Sequence, residues 1–263
     1  MSLFSRAAWT SVRETTLDPT HRLLVAFDLD GTLAPIVARP ESARVPRSTL
    51  ALLARAARLP RVRVAIVSAR PLRDLRRLVP TARVARIAQY GLEGPVAPRG
   101  TTRKRLRRGA RVIGERLRLA VAPYRGAFIE QKGLSVAVHH RGLSPQLRAG
   151  LRRSLGPVER DARGHGYGVQ LGDRVNDFVP LGYDKGRALA AIRARTRPRF
   201  TIFFGDSAGD EPAFAALAPT DVSVRVGPGP TAARFRVRGP KDVARFVRAL
   251  VHERTQGLHS AGR

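Results

Sequence analysis

Residues 22–32 read Arg-Leu-Leu-Val-Ala-Phe-Asp-Leu-Asp-Gly-Thr. A short, unbroken apolar run closed by an Asp-Gly turn is the pattern of a strand buried on both faces of a parallel sheet. Asp28 and Asp30 therefore stand at the carboxyl end of that strand, where open α/β sheets place their sites. Gly31 lets the chain turn at once, so that both carboxylates can serve one pocket. In such a pair one carboxylate can attack while the other moves a proton. A lone Asp-Gly would do no more than close a turn.

Working outward, residues 48–59 have helical spacing, with Ser48 as the N-cap, and RVRVAIVS (61–68) is a second apolar strand. A helix over 72–79 and a strand over 83–89 follow. This alternation predicts a parallel sheet with right-handed crossovers. The pattern then changes. A basic helix over 102–121 precedes two β runs, GAFIEQ (126–131) and LSVAVHH (134–140), joined by Lys132-Gly133. A helix over 144–154 and a strand over 167–171 complete a small α+β insert, residues 99–176. The α/β pattern resumes with a helix at 184–195, a strand at 199–204, a helix at 211–217, a strand at 221–226 and a helix at 242–251. This divides the chain into a core, 21–98 with 177–252, and the insert; residues 1–20 form an extension and 253–263 a tail, both expected to be loose.

The 263 residues are 43% hydrophobic and 26% charged, the composition of a globular protein. There is no run of about 18 apolar residues, which excludes a membrane-spanning helix. The first twenty residues hold no leader-like apolar core. Cysteine is absent, which removes disulfides, thiol nucleophiles and thiolate metal sites. These features point to a cytoplasmic protein. The net charge of +29 suits a polyanion binder, but the arginines are spread through every segment apart from RKRLRR at 103–108. With aromatics at 6%, base stacking is poorly served, so nucleic acid is the less favoured partner. The charge fits an arginine-biased composition together with attraction to small anions and does not decide between them. Oligomeric state leaves no trace in the pattern.

Three more strand-end or helix-start groups carry chemistry. Ser68 ends the second strand at IVSAR, placed either to hydrogen-bond a phosphate oxygen or to cap the next helix. Lys185, one of only four lysines, opens a helix in YDKGRAL, a position suited to neutralising a phosphate. Asp206 and Asp210, in FFGDSAGDE, follow another apolar strand, and hard carboxylates gathered at strand ends suit Mg²⁺.

In that order, DxDGT, a strand-end Ser, Lys before Gly and GDxxxD resemble the four motifs of the haloacid dehalogenase superfamily of phosphatases. The resemblance implies a Rossmann-like core with a cap inserted between the second and third motifs. It also implies roles: Asp28 as nucleophile, Asp30 as general acid and base, and Ser68 and Lys185 as phosphoryl-holding groups. Asp28, Asp206 and the backbone carbonyl of Asp30 would hold Mg²⁺, supported by Asp210. Within the insert, GAFIEQKGLSVAVHHRG (126–142) resembles the cap segment of trehalose-6-phosphate phosphatases, as DLDGTLAPIVARP and IVSAR resemble that family's first two motifs. This implies that Arg70, Glu130, Lys132, His139 and Arg141 contact a sugar phosphate. The chain departs from the family pattern at Ala69, at Tyr90 where a His is usual, at Ser207 and over residues 170–183. The expectation is a Mg²⁺-dependent phosphatase acting on trehalose 6-phosphate. The alternatives are another sugar phosphate or phosphoglycerate-type substrate, or a basic nucleic-acid binder on an inactive scaffold.

Overall fold

The apolar run at the start of the chain does form a strand, and the elements around it follow in order: α1 (Arg6–Ser11), β1 (Leu23–Phe27), α2 (Arg47–Ala56), β2 (Val62–Val67), α3 (Leu72–Leu78), β3 (Val84–Ile87), α4 (Gly100–Val121), β4 (Phe128–Gln131), β5 (Val136–His139), α5 (Pro145–Gly164), β6 (Tyr167–Gly172), β7 (Val175–Pro180), α6 (Lys185–Thr196), β8 (Phe200–Gly205), α7 (Glu211–Ala215), β9 (Val222–Val226), β10 (Phe235–Val237) and α8 (Pro240–Ala261). The computed structural model describes residues 1–37, 39–172 and 174–261. They divide into two units, one of Met1–Ala97 with the chain from Asp184 onward, the other of Pro98–Tyr183.

In the first unit six strands pair in the order β10-β9-β8-β1-β2-β3, every pair parallel. β1 is buried along its whole length and lies between β2 and β8, with Phe27 level with Ile66 and Phe204. One face of the sheet packs Leu23, Val25, Phe27, Val64 and Phe204 against the α2 and α8 side, where Leu53, Phe246 and Leu250 are fully buried. The other packs Leu24, Ala26, Val67 and Phe203 against α6 and α7 through Leu189, Ile192 and Phe214. Helices on both faces are why these strands read as unbroken apolar runs. The chain leaves β1 toward β2 on one side and enters β8 on the other, so the carboxyl ends of β1 and β8 flank the switch point of the sheet.

The second unit is a four-stranded antiparallel sheet, β4-β5-β7-β6, with α4 and α5 against one face. Ile113, Leu117, Val136, Val138, Leu151, Leu155 and Phe178 form its core. Alternation places Phe128, Glu130, Ala137, His139 and Asp177 on the opposite face, in the register Glu130–Ala137–Asp177–Gln170.

Five expectations need correction. Residues 1–20 are not loose: Leu3, Ala8, Val12 and Leu17 are buried, and the Leu3 amide donates to the Arg236 carbonyl at 3.1 Å. Nor is the segment after 252, because α8 continues and Arg254 is buried, donating to the carbonyls of His21 at 2.9 Å and Thr16 at 3.3 Å. The last two residues of the expected tail lie outside the described residues. A core boundary at 177 falls inside β7, which belongs to the second unit. α5 does not stop at 154 but runs through Pro157, because Leu155, Val158 and Ala162 continue the buried stripe begun by Leu151. Ser48 lies within α2, whose N-cap is Pro46.

Candidate active site

Four of the expected residues meet at the carboxyl edge of the parallel sheet. The Asp28 amide, one residue past β1, donates to the Phe204 carbonyl at 2.8 Å, which sets the ends of β1 and β8 side by side. Asp184 caps α6 by accepting from the Arg187 amide at 2.8 Å, and this fixes Lys185 at the first helical position. The Lys185 ammonium is 2.8 Å from Asp28 Oδ1 and 2.7 Å from Asp210 Oδ1, with all three side chains buried. Asp210 Oδ2 accepts from the amides of Asp206 at 3.1 Å and Ser207 at 3.0 Å and from the Ser207 hydroxyl at 2.9 Å. With both its oxygens occupied, Asp210 braces the loop and aims Lys185. Two glycines are required by these close approaches: a Cβ at Gly31 would collide with the Asp206 carboxylate, and one at Gly205 with that of Asp210.

The cluster carries surplus negative charge. Carboxylate oxygens of Asp28, Asp206 and Asp210 lie within 4.8 Å of one another, and one ammonium answers them. Burial pushes the Asp28 carboxyl well above the usual carboxylate range; the charges of Asp210 and Asp206 add to this while Lys185 opposes it. Burial and the charge of Asp210 push Asp206 up to about 6. Burial would lower the Lys185 ammonium, but Asp210 and Asp28 outweigh it and raise it. Hard oxygen donors with unmatched negative charge fit a divalent cation such as Mg²⁺, with Asp28 and Asp206 as its carboxylates, since Asp210 is already committed.

Ser68 is buried at the end of β2. Its hydroxyl accepts from the Arg70 amide at 3.2 Å, four residues before α3, whose N-cap is Pro71; the helix-cap reading of Ser68 fails. Asp30 and Arg70 do not join the buried cluster. Arg70 instead grips Asp30 with two hydrogen bonds, Nε to Oδ2 at 2.6 Å and Nη2 to Oδ1 at 2.7 Å. Burial works against the Arg70 charge, and the hydrogen bonds and charge of Asp30 more than restore it, raising the guanidinium.

On the polar face of the second unit, His139 Nε2 is 3.0 Å from Glu130 Oε2, and the His139 ring stacks on Phe128 at 4.6 Å. The Lys132 ammonium donates to Asp177 Oδ1 at 2.6 Å and lies 4.0 Å from Glu130 Oε2. Arg141 lies in the turn two residues beyond β5.

The sequence model of one family, described as trehalose-phosphatase, matches residues 26–241. The chain belongs to the trehalose-phosphatase family. A trehalose-phosphate phosphatase of Mycobacterium bovis is 30% identical over 246 residues, which cover 87% of this chain and 61% of that protein. A Mycobacterium tuberculosis protein described as an uncharacterized glycosyl hydrolase is 34% identical over 249 residues, 88% of this chain and 18% of that one. The chain thus spans less than two thirds of the length of these curated relatives. Among solved structures, a trehalose-6-phosphate phosphatase related protein superposes with a TM-score of 0.75 at 25% identity, covering 89% of this chain and 99% of the other. The trehalose-phosphatase fold is a haloacid dehalogenase core with an inserted cap, and the two units described above are these two parts.

One residue of this family member escaped the sequence reading. Asp177, almost fully buried and bonded to Lys132, lies in a strand whose alternation, VNDFVP, is too weak to mark it. The available signal was spacing: a carboxylate three residues before Pro180 in the segment leading to Lys185. Among the described residues no helix is long and apolar enough to cross a membrane.

Proposed function

We propose that this chain is a Mg²⁺-dependent phosphomonoesterase that hydrolyses trehalose 6-phosphate through an aspartyl-phosphate on Asp28. The observation that carries this reading is the Lys185 ammonium held between Asp28 and Asp210 at the sheet's switch point, with the Asp206 carboxylate beside them. Phosphoryl transfer is mainly a matter of position and charge, and the cluster provides both.

An Asp28 oxygen attacks phosphorus, and the bond from phosphorus to the ester oxygen breaks. The departing sugar oxygen takes the proton of the Asp30 carboxyl and leaves as the alcohol. Water then attacks the aspartyl-phosphate, giving a proton to the Asp30 carboxylate; Asp28 is released and inorganic phosphate departs. Ser68 donates its hydroxyl hydrogen to a phosphoryl oxygen, and Lys185 neutralises another while favouring the attacking form of Asp28. Mg²⁺ held by Asp28, Asp206 and the Asp30 carbonyl would supply further neutralisation of the phosphoryl charge.

Glu130, Lys132, His139 and Arg141 are proposed to hold the sugar, joined now by Asp177. A face where acids and bases are already paired offers acceptors and donors in fixed directions, the demand made by a ring of hydroxyls. The test is phosphate release from trehalose 6-phosphate, glucose 6-phosphate, 3-phosphoglycerate and a short oligonucleotide, with Mg²⁺ and with a chelator. Rapid release from trehalose 6-phosphate alone, abolished by the chelator, is expected. Faster release from either of the other small phosphates would transfer the assignment to that substrate.

A further inference from the structure

The sequence places Arg70 among the substrate contacts, but the structure commits it elsewhere. Its guanidinium meets the carboxylate of Asp30 edge to edge, at 2.6 and 2.7 Å, taking both oxygens. The arginine is the fixed member of the pair: its side chain is 11% exposed against 33% for Asp30. Its backbone is pinned as well. The Gln89 amide donates to the Arg70 carbonyl at 3.0 Å, and the Tyr90 amide to that of Ser68 at 3.2 Å. Those amides belong to a run of three left-handed residues, Gln89, Tyr90 and Gly91, with φ of 47°, 58° and 93°. A non-glycine residue is rarely held there without a packing or functional reason. Here the turn anchors the Ser68–Arg70 loop to the end of β3.

We infer that Arg70 is a positioning residue for Asp30 and not a ligand of the phosphate. The inference rests on the proposed role of Asp30 as acid and base. That role makes Asp30 act twice in one turnover, first giving a proton to the departing oxygen and then taking one from water. A carboxyl group on an exposed turn would wander between the two acts. When one arm of the guanidinium fork gives up its oxygen to the reaction, the other arm keeps the second oxygen bound and the carboxyl in place. Lysine, a point charge, has no such fork.

The experiment compares two esters in single-turnover reactions of the full chain with Mg²⁺. Trehalose 6-phosphate has an alkyl leaving group that needs a proton; 2,4-dinitrophenyl phosphate has one that departs without it. Arg70→Gln should slow alcohol release from the sugar ester by about 10- to 100-fold, the cost of a misplaced catalytic group. Release of dinitrophenolate should slow by less than about threefold. Arg70→Lys should lose nearly as much as Arg70→Gln on the sugar ester, and Arg70→Gln should add nothing in an Asp30→Asn background. Equal losses on both esters, full rescue by lysine, or additive losses in the double variant would overturn the proposal. If Asp30→Asn itself slows both esters equally, the reading of Asp30 as acid fails first, and that outcome is distinct because it needs no Arg70 variant. Melting temperatures of the variants separate misfolding from misplacement, and Arg70→Lys keeps the test open if Arg70→Gln does not fold.

Discussion

Two of the chain's four lysines are buried against carboxylates, and the two settings differ in one respect that decides their chemistry. Lys185 sits at a helix start between Asp28 and Asp210, with Asp206 as a third acid. Lys132 sits beside an antiparallel sheet, bonded to Asp177, with Glu130 4.0 Å away and already shared with His139. In the first cluster negative charge exceeds positive charge, and burial, with the neighbouring carboxylates adding to it, raises Asp28 and Asp206. In the second, acids and bases are nearly matched. An unbalanced site attracts a cation and a phosphoryl group; a balanced one recognises by hydrogen-bond direction. Under the proposed function, the same ion pair serves reaction in one unit and recognition in the other.

The sharpest way to break this contrast is at Asp28, the proposed nucleophile. Asp28→Asn should retain the fold and lose at least about 10⁴-fold in turnover, since an amide oxygen does not attack phosphorus at a useful rate. Measurable phosphate release by a folded Asp28→Asn protein would remove the covalent route. Lys185→Ala should come next, leaving Asp28 and Asp210 buried without their cation. Breaking such a pair costs about 3–5 kcal/mol, so a large fall in melting temperature should accompany the loss of activity. An unchanged melting temperature would show that the cluster is less buried than described.

The surplus charge also predicts a pH dependence. The Asp206 carboxyl is raised to about 6, above its unfolded value, so the native state holds more protons than the unfolded state between the two. In metal-free protein this contribution to stability is present at low pH and fades as pH rises through about 6. Mg²⁺ must displace that proton, so the rise in melting temperature on adding Mg²⁺ should be larger at pH 7.5 than at pH 5.5. Equal rises at both values would mean that Asp206 is not a ligand. The smallest effect is expected inside the cap. Tyr167, whose hydroxyl is 2.5 Å from the Leu106 carbonyl and 3.1 Å from that of Leu134, supports the sheet without reaching its polar face. Tyr167→Phe should cost about 1 kcal/mol of stability and leave kcat unchanged, as denaturant unfolding and a phosphate assay would report.

Much of the core was legible because its strands are buried on both faces, so burial is written as unbroken apolar runs. The acidic cluster was legible for a related reason: Asp28 and Asp206 stand directly at the ends of two of those runs. What escaped reading was burial by other means. Arg254 anchors α8 with a charged side chain, which a hydropathy pattern assigns to solvent. β7 places Asp177 on the polar face of its sheet, so its alternation lacks an apolar partner to make it visible. The helix expected over 144–154 is longer, because a stripe of buried side chains carries α5 past Pro157. The Arg70–Asp30 pair joins positions 40 apart in sequence, and no local pattern announces it.

The division of labour between the two lysines is tested most directly by one comparison: kcat/KM for trehalose 6-phosphate and for 4-nitrophenyl phosphate, in wild type and in Lys132→Ala. The sugar ester should lose about 10- to 1,000-fold, several hydrogen bonds' worth of discrimination, while the aryl ester, with no sugar to recognise, should lose less than about threefold. Equal losses on the two esters, or none on either, would contradict the assignment of recognition to the cap.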